Sequence, residues 1–229
     1  MAAIRLPTWK WIAGGVVVLI VAAGGYINSG SFGRRGGNDR VVLQVIDGDT
    51  LDVNGHPVDL PGIDAPELGQ KCLDGSRTYT CGLTAAFELS KLLALEDVKC
   101  VPGGGKEGVY DCATPDAPLG LLLVEDGLAV ARSGTAEQVA EKKAREVPLG
   151  IWRGAFVDPK DWRAGKRLPE ERDGEPCPVL GVDMNNERVY VVPTDSAYDK
   201  WKDREDMIRE RFCSDEEARA SGRIHLAVR

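Results

Sequence analysis

The sequence predicts an α+β fold, mainly β with helices packed on it, and three observations carry that expectation. Residues 41–63 hold short β-branched runs broken by turn dipeptides. Residues 82–95 place Ala85, Ala86, Leu89, Leu92 and Leu93 at helical spacing, and residues 135–146 repeat such a pattern with a charged face that stops near Pro148. With 229 residues, 43% of them hydrophobic, the chain is long enough for one well-cored domain and a smaller module. A net charge of −7 argues against a surface built for nucleic acid, which needs basic phosphate-contacting patches.

At the N-terminus, Arg5 and Lys10 precede an uncharged run from Trp11 to Ile27. Its length sits at the lower bound of about 17 residues for a spanning helix and above the core of an ordinary signal peptide. Trp9 and Trp11 at one end and Tyr26 at the other suit two membrane interfaces. Residues 1–27 therefore read as an N-terminal transmembrane helix, an uncleaved signal anchor with its N-terminus cytoplasmic. Val21-Ala22-Ala23-Gly24 keeps a cleaved signal peptide open as the alternative. The remainder is then extracytoplasmic, periplasmic in a bacterium, and residues 28–40, NSGSFGRRGGNDR, form a flexible linker.

The densest chemistry lies in residues 45–67, VIDGDTLDVNGHPVDLPGIDAPE, where six carboxylates share 23 residues. Val41–Ile46 and Thr50–Val53 read as strands, Asn54-Gly55 is the dipeptide of a two-residue hairpin, and Val58–Ile63 is the returning strand. Folded back, that strand carries Asp64 and Glu67 towards Asp47 and Asp49, giving an acidic cluster at one mouth of a small barrel.

The VIDGDT and GIDAPE stretches, at this separation, resemble the signature of the staphylococcal nuclease (thermonuclease) family, and the resemblance covers residues 41–167. It implies a five-stranded OB-type barrel with packed helices and a calcium-dependent phosphodiesterase site. Asp49, Asp64 and the backbone carbonyl of Ala65 correspond to metal ligands, Asp47 supports them, and Glu67 corresponds to the base acting on the attacking water. Hard oxygen donors beside a carboxylate suit that chemistry. Solvated turn acids are the plain alternative, because Asp-Gly is ordinary turn chemistry.

Two departures matter. The family carries an arginine five residues ahead of the GIDAPE aspartate, where this chain has Asp59, and a second in the following hairpin, where it has Glu107 beside Lys106. An arginine holding transition-state phosphoryl charge is worth roughly 10³ to 10⁵ in rate. The expectation is thus a domain that keeps a possible Ca2+ end of the site and has lost efficient catalysis, a pseudoenzyme. It would serve as a binding or assembly subunit, attached to the membrane and to a membrane protein complex. The alternative is an active calcium-dependent nuclease with nucleic acid as substrate. A guanidinium lining the mouth from elsewhere in the chain would undo this electrostatic argument for the first reading.

Six cysteines suit an oxidising compartment and allow 15 pairings. Their spacing suggests local bridges, Cys72 with Cys81, Cys100 with Cys112 and Cys177 with Cys213. Exported thermonuclease-like proteins resemble the first two. Zinc is disfavoured, since no C-x-x-C pair exists and His56 and His225 stand outside ligand spacing. Gly150-Ile151-Trp152, Phe156 and Trp162 resemble the family's tail and read as core clamps. Residues 168–175 are a polar linker, and residues 176–229 a small disulfide-stapled module resembling one that follows some exported thermonuclease domains.

Overall fold

The structure, a computed structural model, describes residues 42–103, 110–171 and 176–226. The proposed anchor over residues 1–27, the linker to residue 40, and Glu107 lie outside the described residues. Among the described residues no helix is long and apolar enough to cross a membrane.

Strands β1 (Leu43–Val45), β2 (Thr50–Val53) and β3 (His56–Asp59) form a three-stranded antiparallel sheet. Asn54 and Gly55, at φ 55° and 87°, make the two-residue turn between β2 and β3, with Val53 opposite His56. Two further antiparallel hairpins follow, β5 (Lys71–Asp74) with β6 (Arg77–Thr80) and β7 (Lys99–Pro102) with β8 (Tyr110–Ala113). Between them runs α1 (Cys81–Leu95), which buries Ala85, Ala86 and Leu89. Strand β4 (Ile63–Asp64) pairs with β9 (Val130–Ala131), beyond α2 (Leu119–Glu125), and α3 (Gln138–Glu146) and α4 (Pro159–Arg163) come next.

The expected closed barrel is not formed: the sheets stay separate, and among the described residues no ladder joins them into a cylinder. The cause is local. The segment read as one returning strand is broken at Pro61-Gly62, where proline has no N–H for a ladder and Gly62 takes φ +83°. β3 and β4 therefore pair with different partners, and a barrel needs a continuous, staggered ladder.

Residues 40–229 cluster as one unit. Its C-terminal segment contributes a four-stranded sheet in the order β12 (Ile208–Phe212), β10 (Val179–Met184), β11 (Glu187–Val191), β13 (Ile224–His225), together with α5 (Tyr198–Trp201) and α6 (Asp215–Ala220). Asn185 and Asn186, at φ 50° and 66°, turn β10 into β11. Val179, Tyr190, Val192 and Ala218 of this segment belong to the same buried cluster as Val45, Ile46, Leu51, Leu68 and Leu89. Disulfides join Cys72 to Cys81, Cys100 to Cys112 and Cys177 to Cys213.

Polar contacts tie the two ends of the unit together. Gly69 N–H donates to the Cys213 carbonyl at 2.8 Å, the Thr194 hydroxyl donates to the Val45 carbonyl, and His225 lies between Asp52 and Asp195 at 3.0 and 3.1 Å. A Cβ added at Gly69 would meet Cys213 Cβ at 2.9 Å.

Candidate functional site

The bend between β1 and β2 is shaped by Asp47, whose Oδ1 accepts from the N–H groups of Asp49 at 3.0 Å and Thr50 at 2.7 Å. Asp49 is thereby turned towards β4, and its Oδ2 accepts from Ala65 N–H at 2.9 Å. Glu67 sits in the loop after β4, where its N–H donates to Gln70 Oε1 at 3.2 Å and its carbonyl accepts from Gln70 N–H at 2.7 Å. Gln70 is itself fixed by donating to the Val157 carbonyl at 2.6 Å. A Cβ at Gly82 would lie 1.8 Å from the Glu67 carbonyl oxygen, so the start of α1 closes directly on this loop.

The structure thus brings Asp47, Asp49, Asp64 and Glu67 into one region. Asp59 stays exposed on β3, with the Thr50 hydroxyl 3.4 Å from its Oδ1.

Three side chains absent from the sequence reading complete the region. Arg163, at the end of α4, donates from Nη1 to Asp64 Oδ1 at 3.0 Å and to Glu67 Oε1 at 2.6 Å, and from Nη2 to Asp64 Oδ2 at 2.9 Å. Its helix is capped by Asp158 and opened by Pro159. Trp162 anchors it by donating from Nε1 to Glu171 Oε1 at 2.7 Å. From α6 come Asp215, fully buried, and Arg219. Arg219 Nη2 lies 2.8 Å from Asp215 Oδ2, so the buried carboxylate is ion-paired within its own helix.

Arg163 and Arg219 thus line the mouth from elsewhere in the chain, which undoes the expectation of a pocket stripped of its guanidinium groups, and lost catalysis can follow only from how those groups are engaged. Arg163 stands beside Trp162, in a stretch read for its aromatics alone. Asp215 and Arg219 are surface-type residues of a short helix, and nothing in their spacing points back to Glu67.

The electrostatics follow from crowding. Asp47, Glu67 and Asp215 each offer an oxygen, all within 4.8 Å of one another, and all three residues are buried. Two unit charges at that separation repel by roughly 3 kcal/mol at an effective dielectric near 20, so the three resist simultaneous ionisation without a cation. Burial, reinforced by Asp215, Asp49 and Glu67, holds the Asp47 carboxyl well above its ordinary range. Burial pushes Asp49 up to about 7 against the lowering bonds from Ala65 and Asp47. Burial also pushes Glu67 up to about 8 although Arg163 opposes it. Arg163 is raised: burial alone would lower it, and its bonds to Asp64 and Glu67 prevail.

Calcium held by Asp49 and Asp64, as the resemblance implies, would have to displace Arg163. Both Asp64 oxygens accept from Arg163, and Asp49 Oδ2 accepts from Ala65.

No protein-family model matches the chain. The chain is similar to the succinoglycan biosynthesis protein ExoI of Rhizobium meliloti (strain 1021), with 36% identity over 118 residues. The match covers 48% of this chain and 62% of that protein, so less than two thirds of the relative is spanned.

Proposed function

We propose that the chain is an extracytoplasmic, membrane-attached protein of thermonuclease type with little or no phosphodiesterase activity, acting as a binding or assembly subunit. One observation carries this reading: Arg163 commits its Nη donors to Asp64 and Glu67, the residues that match a metal ligand and the base. A phosphate clamp needs those donors aimed at substrate, and a general base needs its carboxylate within reach of water. Here Glu67 is 4% exposed and faces Asp215. The relative is named for succinoglycan biosynthesis rather than for nucleic-acid cleavage, which suits an assembly role in building a polysaccharide.

The second reading, an active calcium-dependent nuclease, draws support from the same guanidinium groups, since Arg163 and Arg219 could stand in for the two missing arginines. An assay of the purified full-length protein on single-stranded DNA and RNA, with calcium and with chelator, separates the two. The expected result is no cleavage beyond that of Glu67→Gln. Robust calcium-dependent cleavage that disappears in Glu67→Gln would establish the nuclease instead.

A further inference from the structure

We infer that Asp47, Glu67 and Asp215 form a buried binding site for a hard divalent cation, displaced inward from the Asp49–Asp64 position and completed by the C-terminal segment. Their oxygens lie within 4.8 Å of one another, which is about the span of two trans ligands at calcium-like bond lengths. An all-oxygen donor set selects a calcium- or magnesium-like ion over zinc or copper.

Buried oxygens on two of these carboxylates lack a hydrogen-bond partner. Arg163 takes Glu67 Oε1 and leaves Oε2 buried and unbonded. Asp215 is fully buried, with Arg219 Nη2 2.8 Å from its Oδ2 and no hydrogen bond to its Oδ1. The Tyr190 hydroxyl, on a fully buried side chain of β11, also lacks a partner. Buried polar atoms are ordinarily bonded, so unbonded oxygens on two of the three clustered carboxylates mark a place shaped for a positive ion. Asp49 and Asp64 take no part in it, because their oxygens serve Ala65 and Arg163.

The three ligands come from the β1–β2 bend, the loop after β4 and the start of α6, so the ion would fasten the C-terminal segment to the carboxylate loop. Arg163 and Glu67 keep their contact throughout, and the site stands whether or not the protein cleaves nucleic acid.

The test is titration of chelator-stripped full-length protein with CaCl2 and MnCl2 by calorimetry, with the wild type, Asp215→Asn and Asp49→Asn compared. One ion per chain is expected, with binding weakened at least about tenfold in Asp215→Asn and retained in Asp49→Asn. Loss in Asp49→Asn with retention in Asp215→Asn, or no binding by the wild type, would overturn the inference. Should Asp215→Asn fail to fold, anomalous scattering from Mn2+ in wild-type crystals decides. A peak among Asp47, Glu67 and Asp215 supports the site, and one beside Asp49 and Asp64 or none at all refutes it. Binding is read here without substrate, so its outcome is separate from that of the cleavage assay.

Discussion

Arg163 is the single side chain on which the carboxylate loop leans. Removing one partner of a buried pair costs roughly 3–5 kcal/mol. Because the Arg163 side chain is 28% exposed, Arg163→Ala is expected to lose about 2–3 kcal/mol at pH 7 in denaturant unfolding. The loss should grow as pH rises through about 8, where Glu67 ionises and would be left without its guanidinium partner. The same carboxylates set a wider trend. Folded-state values of about 7 for Asp49 and about 8 for Glu67 lie above the ordinary 3.8 and 4.5. Their contribution is fully present below the ordinary values and is lost as pH rises through the folded ones. With chelator present, the thermal midpoint should therefore fall as pH goes from about 4.5 to about 8. A rise over that interval would contradict the burial of these acids. At this scale the sequence was informative about acids and silent about their cations: VIDGDT and GIDAPE are contiguous motifs, whereas Arg163 reaches Glu67 across 96 positions.

Among the elements, β13 shows how far a two-residue strand can reach. His225 lies between Asp52 and Asp195, with side chains only 3%, 2% and 0% exposed. Burial alone would lower its pKa, but the bonds to Asp195 and Asp52 raise it to about 9. The pairing is thus complete below the ordinary 6.5 and is lost as pH rises through about 9. Asp52 acts in the opposite sense. Burial would raise its pKa, but the His225 and Gly55 hydrogen bonds and the charge of His225 together lower it, and its contribution fades only as pH falls below the ordinary 3.8. His225→Ala leaves two buried carboxylates unpaired and should cost roughly 3–5 kcal/mol in chemical denaturation at pH 7, with less difference from wild type at pH 10. Elements with a periodic or turn signal were legible: α1, α3 and the Asn54-Gly55 hairpin follow from spacing and from φ > 0 chemistry. The barrel was not, because one Pro-Gly step inside an apolar run redirects the chain. The role of His225 was equally hidden, since a lone histidine carries no spacing to read.

For the molecule as a whole, residues 176–226 share a core with the preceding described residues, burying Val179, Tyr190, Val192 and Ala218 against them. Each buried aliphatic or aromatic side chain is worth about 1.5–3 kcal/mol, so truncation after residue 171 should remove most of a typical domain's stability. A sharp, fully reversible melt of the truncated protein would refute this shared core. The sequence supported a separate module because the polar stretch 168–175 and a local disulfide both look like a boundary. Burial between distant segments leaves no such local mark. Gly69 concentrates that hidden dependence at one position. With Cys213 Cβ only 2.9 Å from where a side chain would begin, even one methyl would act as a wedge in the seam. Gly69→Val should speed amide exchange at Cys213 and around Glu67 together, making an unremarkable glycine the fastener of two segments far apart in the chain.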